Sequence, residues 1–274
     1  MIDLHSHTFH SDGQRSPGEL LSEAAGRGLT VLALTDHDTV SGIADAMEAA
    51  KAHGLRLVPG IELSCELHGR EVHVLGHFLD PLSTGLLRLA EQMLAERWQR
   101  MERMVERACN AGFSGVTMEL VIAASGGENL GRPHLARVLV DRGHCKSVKD
   151  AFDRYLGNGG PLFVDRLRLS VQAAAELIRA ASGTSSLAHP GANAVSRQEL
   201  KTCAGLGLDA VEAFHPEHVP NQAEAYQRWA SEMGLLVTAG SDYHGPAVQP
   251  DRKLGDRTLS AERFAALEER SRRA

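Results

Sequence analysis

No apolar run in this sequence approaches the ~20 residues that a membrane span requires. The N-terminus also lacks the basic-then-apolar layout of a secretory signal, so a cytoplasmic protein without membrane contact is expected. Cysteine is sparse. Cys65, Cys109, Cys145 and Cys203 stand far apart with no CxxC pair, which excludes a zinc ribbon and suits reduced thiols better than a disulfide framework. There is no surplus of positive charge: a formal charge of −6 argues against broad adhesion to nucleic acid or anionic membrane. An anionic substrate remains open, because bound cations reverse the local field inside a pocket. Internal repeats, low-complexity tracts and a GxSxG elbow are all missing, so nothing reads as a nucleophilic serine site.

What is present reads as an ordinary globular chain, 43% hydrophobic and 23% charged, and 274 residues suffice for one barrel-sized domain with an insertion. Short β-type runs at 2–4, 31–34, 57–61, 71–75, 186–188, 210–214 and 235–238 alternate with helical patterns at 17–25, 42–52, 171–181, 222–232 and 261–269. Ser16-Pro17-Gly18-Glu19 is a capping box with proline at the first helical position. Alternation of this kind predicts an α/β fold with mostly parallel strands, most simply a closed or nearly closed barrel. Residues 83–160 break the rhythm. Leu86, Leu87, Met93, Leu94, Trp98, Met101, Met104, Val105 and Ala108 recur there at helical spacing, predicting a packed face in a small helical insertion. The barrel is thus assigned to 1–82 and 161–274, with the insertion over its active-site face.

Metal-type side chains follow the strands. His5 and His7 lie in the opening "IDLHSHTFHSDG", Asp36, His37 and Asp38 follow "TVLAL", Glu62 follows "LVPGI", His73 lies in "EVHVLGH", His189 follows "SLA", His215 follows "AVEAF", and Asp242 with His244 follow "LLVTAGS". In a parallel βα barrel such ends share one face, where these folds build their sites. So many buried titratable groups are costly without cations to pair with. Imidazole and carboxylate donors without thiolate suit manganese, zinc, iron or magnesium, two or three ions sharing a bridging carboxylate such as Glu62.

"DLHSHTFHSDG", "LTDHDTVSG", "GIELS", "VHVLG", "AHPG" and "GSDYHG" together resemble the PHP family, named for polymerase and histidinol phosphatase domains, and the resemblance spans nearly the whole chain. It implies a distorted (β/α)7 barrel, amidohydrolase-like, with a trinuclear centre. Its metal ligands fall on His5, His7, Asp12, His37, Glu62, His73, His189, Asp242 and His244. By that analogy one ion takes His5, His7, Glu62 and Asp242, a second Glu62, His73 and His189, and a third Asp12, His37 and His244; His10 receives no role. The chain is most similar to small stand-alone phosphoesterases that hydrolyse the 3′-phosphate of nucleoside 3′,5′-bisphosphates, some of which trim 5′ ends of short RNA. A water acidified between two ions, preferably Mn²⁺, is then the nucleophile. Catalytic positions are Asp242, His189, Glu62 and His134. Substrate-binding positions are Arg132 and His134, in "GRPHLARVLVDRG", and His215, with His218 a weaker candidate for the pocket rim; Arg166 and Arg168 are weaker candidates still, since arginines before a helix are often only surface charge. The implied partner is a nucleotide or a short RNA end, with no stable protein partner. Two other readings share the motif: a phosphatase for another small monoester such as histidinol phosphate, and a non-catalytic metal-binding scaffold.

Overall fold

In the computed structural model residues 1–125 and 130–273 are described; residues 126–129, within the expected insertion, lie outside the described residues, as does Ala274. The Ser16 signal opens helix α1 (Pro17–Gly26): Ser16 Oγ accepts from the Glu19 N–H at 3.2 Å, and the Glu19 carboxylate accepts from the Ser16 N–H at 2.8 Å. Strands β1 (Ile2–Asp3), β2 (Val31–Leu34) and β3 (Arg56–Leu67) pair in parallel, with α1 and α2 (Ile43–His53) as the crossovers.

The parallel rhythm then breaks in a way the alternation did not predict. β4 (Arg70–His77) runs antiparallel to β3, because the two are joined by His68 and Gly69 alone. Both residues have positive φ, 51° and 77°, as a two-residue type I′ turn demands. β4 also runs antiparallel to β6 (Thr184–Leu187), and the parallel order resumes through β7 (Ala210–Phe214) and β8 (Leu236–Ala239). A short β5 (Leu169–Ser170) pairs with β3 outside this path. The last strand meets the first: the Leu4 N–H donates to the Ala239 carbonyl at 3.0 Å and the Asp242 N–H to the His5 carbonyl at 2.8 Å, nearly closing a barrel.

Alternate residues of the strands serve two cores. Val31, Ala33, Val58 and Ala210 cluster with Phe264 and Leu267 of the C-terminal helix α10 (Ala261–Ser271), which plugs the interior. Leu32, Leu34, Val211 and Ala213 pack instead against α1, α2, α7 (Val171–Ala180), α8 (Arg197–Gly205) and α9 (Pro220–Met233). Glu62 is four residues beyond Val58 and Glu212 two beyond Ala210, so both carboxylates point into the interior, above the plug.

Between β4 and β5 lie α3 (Thr84–Asn110), α4 (Met118–Ser125), α5 (Arg132–Asp141), α6 (Val148–Ala151) and a π-helical turn, Phe152–Leu156. Leu86, Leu89 and Met93 of α3 join the barrel core, whereas Met101, Met104, Val105 and Ala108 build a second core with Leu135, Leu139, Leu156 and Leu162. The stripe predicted as one packed face is therefore divided. Leu87, 40% exposed, and Leu94 line an open apolar cleft of about 820 Å³ with Phe9, Val40 and Met47. No helix among the described residues is long and apolar enough to cross a membrane.

Candidate metal centre

The site begins where β1 ends. Gly240, at the exit of β8, lies so close that a Cβ on it would sit 2.2 Å from the Cβ of His5; only glycine lets the two exits converge. Asp36 folds the following loop back: its carboxylate accepts from the Thr8 N–H (2.7 Å), the Thr8 hydroxyl (2.6 Å) and the Ser11 hydroxyl (2.6 Å), which returns Asp12 towards the barrel mouth. Asp38, His189 and Asp242 hold left-handed backbone, with φ of 56°, 27° and 51°. The antiparallel β4 brings its N-terminal half to this face, so His73 arrives from within a strand and not from its C-terminal end.

Five of the other eight residues expected as ligands contact Glu62, which is 1% exposed, and Asp12, Asp242 and His244 join through the histidines. Glu62 Oε2 lies 3.3 Å from His5 Nε2, 3.2 Å from His7 Nε2 and 3.1 Å from His37 Nδ1; Oε1 lies 2.8 Å from His73 Nδ1 and 3.0 Å from His189 Nε2. Asp242 Oδ1 stands 3.3 Å from both His5 Nε2 and His7 Nε2, and Asp12 Oδ1 stands 3.1 Å from His244 Nε2. The donors able to share an ion form overlapping groups: His5, His7, Glu62 and Asp242; His7, Asp12, His37 and His244; His37, Glu62 and His73. Two details differ from the expected sets. His7 reaches two groups, and His37, rather than His189, completes the group with His73.

Charge follows from this crowding. Burial pushes the Glu62 carboxyl up, but the imidazoles of His37, His73 and His5 outweigh it and hold the group well below the usual carboxylate range. Asp12 and Asp242 are likewise pushed up by burial and pulled well below that range, by His244 and His37 in one case and His5 and His244 in the other. His37 goes the other way, its pKa lowered by burial to about 3. His7 Nε2 and Asp12 Oδ1 are buried without a directed hydrogen bond. Orphaned donor atoms of this kind, facing ionised carboxylates, fit a cation between them; the absence of thiolate fits a hydrolytic ion better than a structural zinc.

Several supporting residues were not singled out in the sequence. Glu212, fully buried, accepts from His5 Nδ1–H at 3.0 Å and from the His189 N–H at 2.7 Å, fixing the tautomer that turns His5 Nε2 to the centre. Its signal was a lone charge in the otherwise apolar "AVEAF". Arg252 donates to Asp242 Oδ2 at 2.7 Å and Arg97 to Asp38 at 2.5 Å; both come from outside the strand ends, where no pattern marks them. His218, by contrast, is a sequence candidate for the pocket rim; it takes the Gly191 N–H on Nε2 (2.9 Å) and donates Nδ1–H to the Ala213 carbonyl (3.0 Å), pinning the loop after His189.

The expected substrate residues fall into three situations. Arg132 opens onto a second cavity, about 560 Å³, that shares His73 as part of its wall. His134 is buried, its Nδ1 accepts from the Gly131 N–H at 3.0 Å, and burial lowers it to about 4, so the ring is neutral with its proton on Nε2. His215 is engaged at both nitrogens, Nε2 with Asp242 Oδ2 at 3.3 Å and Nδ1 with the Glu217 N–H at 3.2 Å. Arg166 and Arg168 are not surface charges: they are 15% and 11% exposed and pair with Glu71, which also stands 3.3 Å from His73 Nε2. His10 lies away from the Glu62 cluster, 2.9 Å from Ser41 Oγ at the apolar cleft.

The PHP domain profile matches residues 3–157. The chain is 34% identical over 248 residues to a 5′-3′ exoribonuclease of Haemophilus influenzae, covering 89% of this chain and 90% of that protein. It is 31% identical over 249 residues to a 3′,5′-nucleoside bisphosphate phosphatase of Chromobacterium violaceum, covering 89% and 87%. Among solved structures, a candidate metal-dependent phosphoesterase from Bifidobacterium adolescentis superposes with a TM-score of 0.89 at 30% identity, covering 98% of this chain and 96% of its own.

Proposed function

The chain belongs to the PHP domain family and is a metal-dependent phosphoesterase, and from that premise we propose that it removes the 3′-phosphate of nucleoside 3′,5′-bisphosphates. Trimming of short RNA from the 5′ end is the same chemistry applied to a diester. The observation that carries this reading is the cluster around Glu62, one buried carboxylate in contact with five imidazoles. It is supported by the names of two relatives that span most of the chain, a bisphosphate phosphatase and an exoribonuclease.

In this proposal the cluster holds two to three divalent ions, Mn²⁺ being the preferred one. His5, His7, Glu62 and Asp242 hold the first, Asp12, His37 and His244 with His7 the second, and Glu62 with His73, His37 and His189 the third. When bound, such ions acidify water and neutralise the phosphoryl oxygens. The chain's own residues orient the substrate. Arg132 presents a guanidinium to phosphate, and His134 offers Nε2–H as a hydrogen-bond donor, its neutral ring making it a poor proton source near pH 7. His215 positions Asp242 through the contact at Oδ2. The barrel of 1–82 and 161–274 then carries the chemistry, and the helical segment 83–160, with Arg97 and Arg132, covers the face where substrate enters.

A phosphate-release assay with added Mn²⁺ tests the reading on nucleoside 3′,5′-bisphosphates, nucleoside 5′-monophosphates and histidinol phosphate, and chromatography of the released nucleoside 5′-monophosphates follows short 5′-phosphorylated RNA. The bisphosphates should give the highest kcat/KM. A ranking in which simple monoesters equal them removes the substrate assignment.

A further inference from the structure

The apolar cleft of about 820 Å³ between α2 and α3 takes no part in holding the ions, yet it adjoins their site. Its size lies within the range of about 300–1,000 Å³ found for small-molecule sites. Val40, Ile43 and Met47, on the approach to α2 and in its first turns, line it together with Leu87 and Leu94 of α3. Its inner wall is the Asp38–Arg97 pair, and Asp38 directly follows the candidate ligand His37. Its rim is Phe9 and His10, in the loop that runs from His7 to Asp12. His7, Asp12, His37 and His244 form one of the candidate ion groups, so the cleft meets the centre on that side, whereas the Arg132 cavity meets it at His73.

The walls select what fits. The rings of Phe9 and His10 stack, 4.6 Å apart at 27°. His10 is fixed against the start of α2: its Nδ1 lies 2.9 Å from Ser41 Oγ, and a Cβ on Gly42 would stand 2.9 Å from its Cδ2. Phe9, stacked on this fixed ring and 36% exposed, offers a flat surface to a further planar group. The charges in the wall do not attract phosphate, because Glu91 is acidic and Asp38 already takes the Arg97 guanidinium at 2.5 Å. A neutral, flat group within short reach of a reacting phosphate is a nucleobase.

The direction of the reaction says which base. On a bisphosphate the reacting phosphate carries no further group, but on an RNA end it also carries the 5′-oxygen of the next nucleotide. We propose that the Phe9 cleft seats the base of that next nucleotide, on the far side of the reacting phosphate from the 5′ end. This deepens the substrate reading above and rests on it. Water adds to phosphorus and the bond to the 3′-oxygen breaks. One proton of the water passes to the 3′-oxygen, which leaves with the 5′-terminal nucleotide, and the phosphate stays on the 5′-oxygen of the nucleotide held in the cleft.

The test on the metal-loaded enzyme compares a 5′-phosphorylated dinucleotide with the same molecule lacking its second base. Wild type should favour the base-bearing form by about 5–150-fold in kcat/KM, the range for one base stacked on an aromatic side chain. Phe9→Leu keeps apolar bulk without the flat ring, so the preference should fall towards unity, chiefly through KM; Phe9→Trp should keep it. Leu87→Ser, on α3 and outside the ligand loop, should lower it about threefold. Equal losses on both dinucleotides, or no loss, overturn the assignment. Calorimetric binding of the same pair with a methylene group in place of the bridging 3′-oxygen gives a readout free of turnover. Phe9→Leu should weaken the base-bearing analogue about fivefold or more and spare the other. If that is found while no bisphosphate is hydrolysed, the base site stands and the reaction assigned above falls; if bisphosphates are hydrolysed while binding ignores Phe9, the base site alone falls. A dimer in sedimentation that Leu87→Ser disperses, with the base preference intact, makes the cleft an interface between copies and likewise overturns the base site.

Discussion

Replacing Glu212 by glutamine keeps volume and shape and removes one charge, which isolates what the carboxylate does for the metal centre. In the native chain one oxygen accepts from His5 Nδ1–H at 3.0 Å and the other from the His189 N–H at 2.7 Å. A glutamine can still accept the shorter bond with its oxygen, but its NH₂ then faces His5 Nδ1. The imidazole has to move its proton to Nε2, the atom 3.3 Å from both Glu62 and Asp242, and a protonated nitrogen cannot bind a cation. Loss of such an outer partner costs about 10–100-fold in metal affinity, or about 1.4–2.8 kcal/mol. Glu212→Gln should therefore need that much more Mn²⁺ for half-maximal binding in calorimetric titration. An unchanged metal affinity would falsify the tautomer argument.

Two further outcomes follow from the packing of the barrel. Gly240→Ala places a methyl 2.2 Å from the Cβ of His5; overpacking of this kind costs about 1–3 kcal/mol and should displace His5 and His7 together. Denaturant melts and metal titration should both register it, and a variant that melts and binds as wild type refutes the close approach. His77, buried with Nε2–H on the Leu4 carbonyl at 2.8 Å, is pushed by burial from 6.5 to about 4. The folded state prefers the neutral ring, so this contribution is complete above pH 6.5 and disappears as pH falls towards 4, an effect of about 3 kcal/mol. The stability difference between metal-free wild type and His77→Gln should shrink by that amount between pH 7 and 4, and a constant difference refutes the assignment.

Much of the barrel was legible because its strands are short apolar runs bounded by turn and cap signals: β2 and β7 occupy 31–34 and 210–214, as the runs predict. The reversal at β4 was not, since strand alternation says nothing of direction; the signal was the dipeptide His68-Gly69, with no room for a crossover helix. Helix α8 went unread although Ser196 and Glu199 form the same capping box that marks α1. At the site, side chains that end on a strand could be placed from sequence, because the fold gathers those ends on one face. Arg97, Arg166 and Arg252 could not, since they arrive from a helix or an irregular segment and their partners, Asp38, Glu71 and Asp242, are chosen by tertiary packing alone.

The left-handed backbone at Asp38, His189 and Asp242 sets durability against activity in this molecule. Glycine adopts that conformation freely, whereas other residues held there cost on the order of 1 kcal/mol each. Glycine at Asp38 or Asp242 would relieve the backbone but strand the buried guanidinium of Arg97 or Arg252, and at Asp242 it would also remove a donor from beside His5 and His7, so the strain cannot be separated from the site. Stabilising this chain without loss of function has to begin elsewhere, in the helices that carry neither donors nor guanidinium groups.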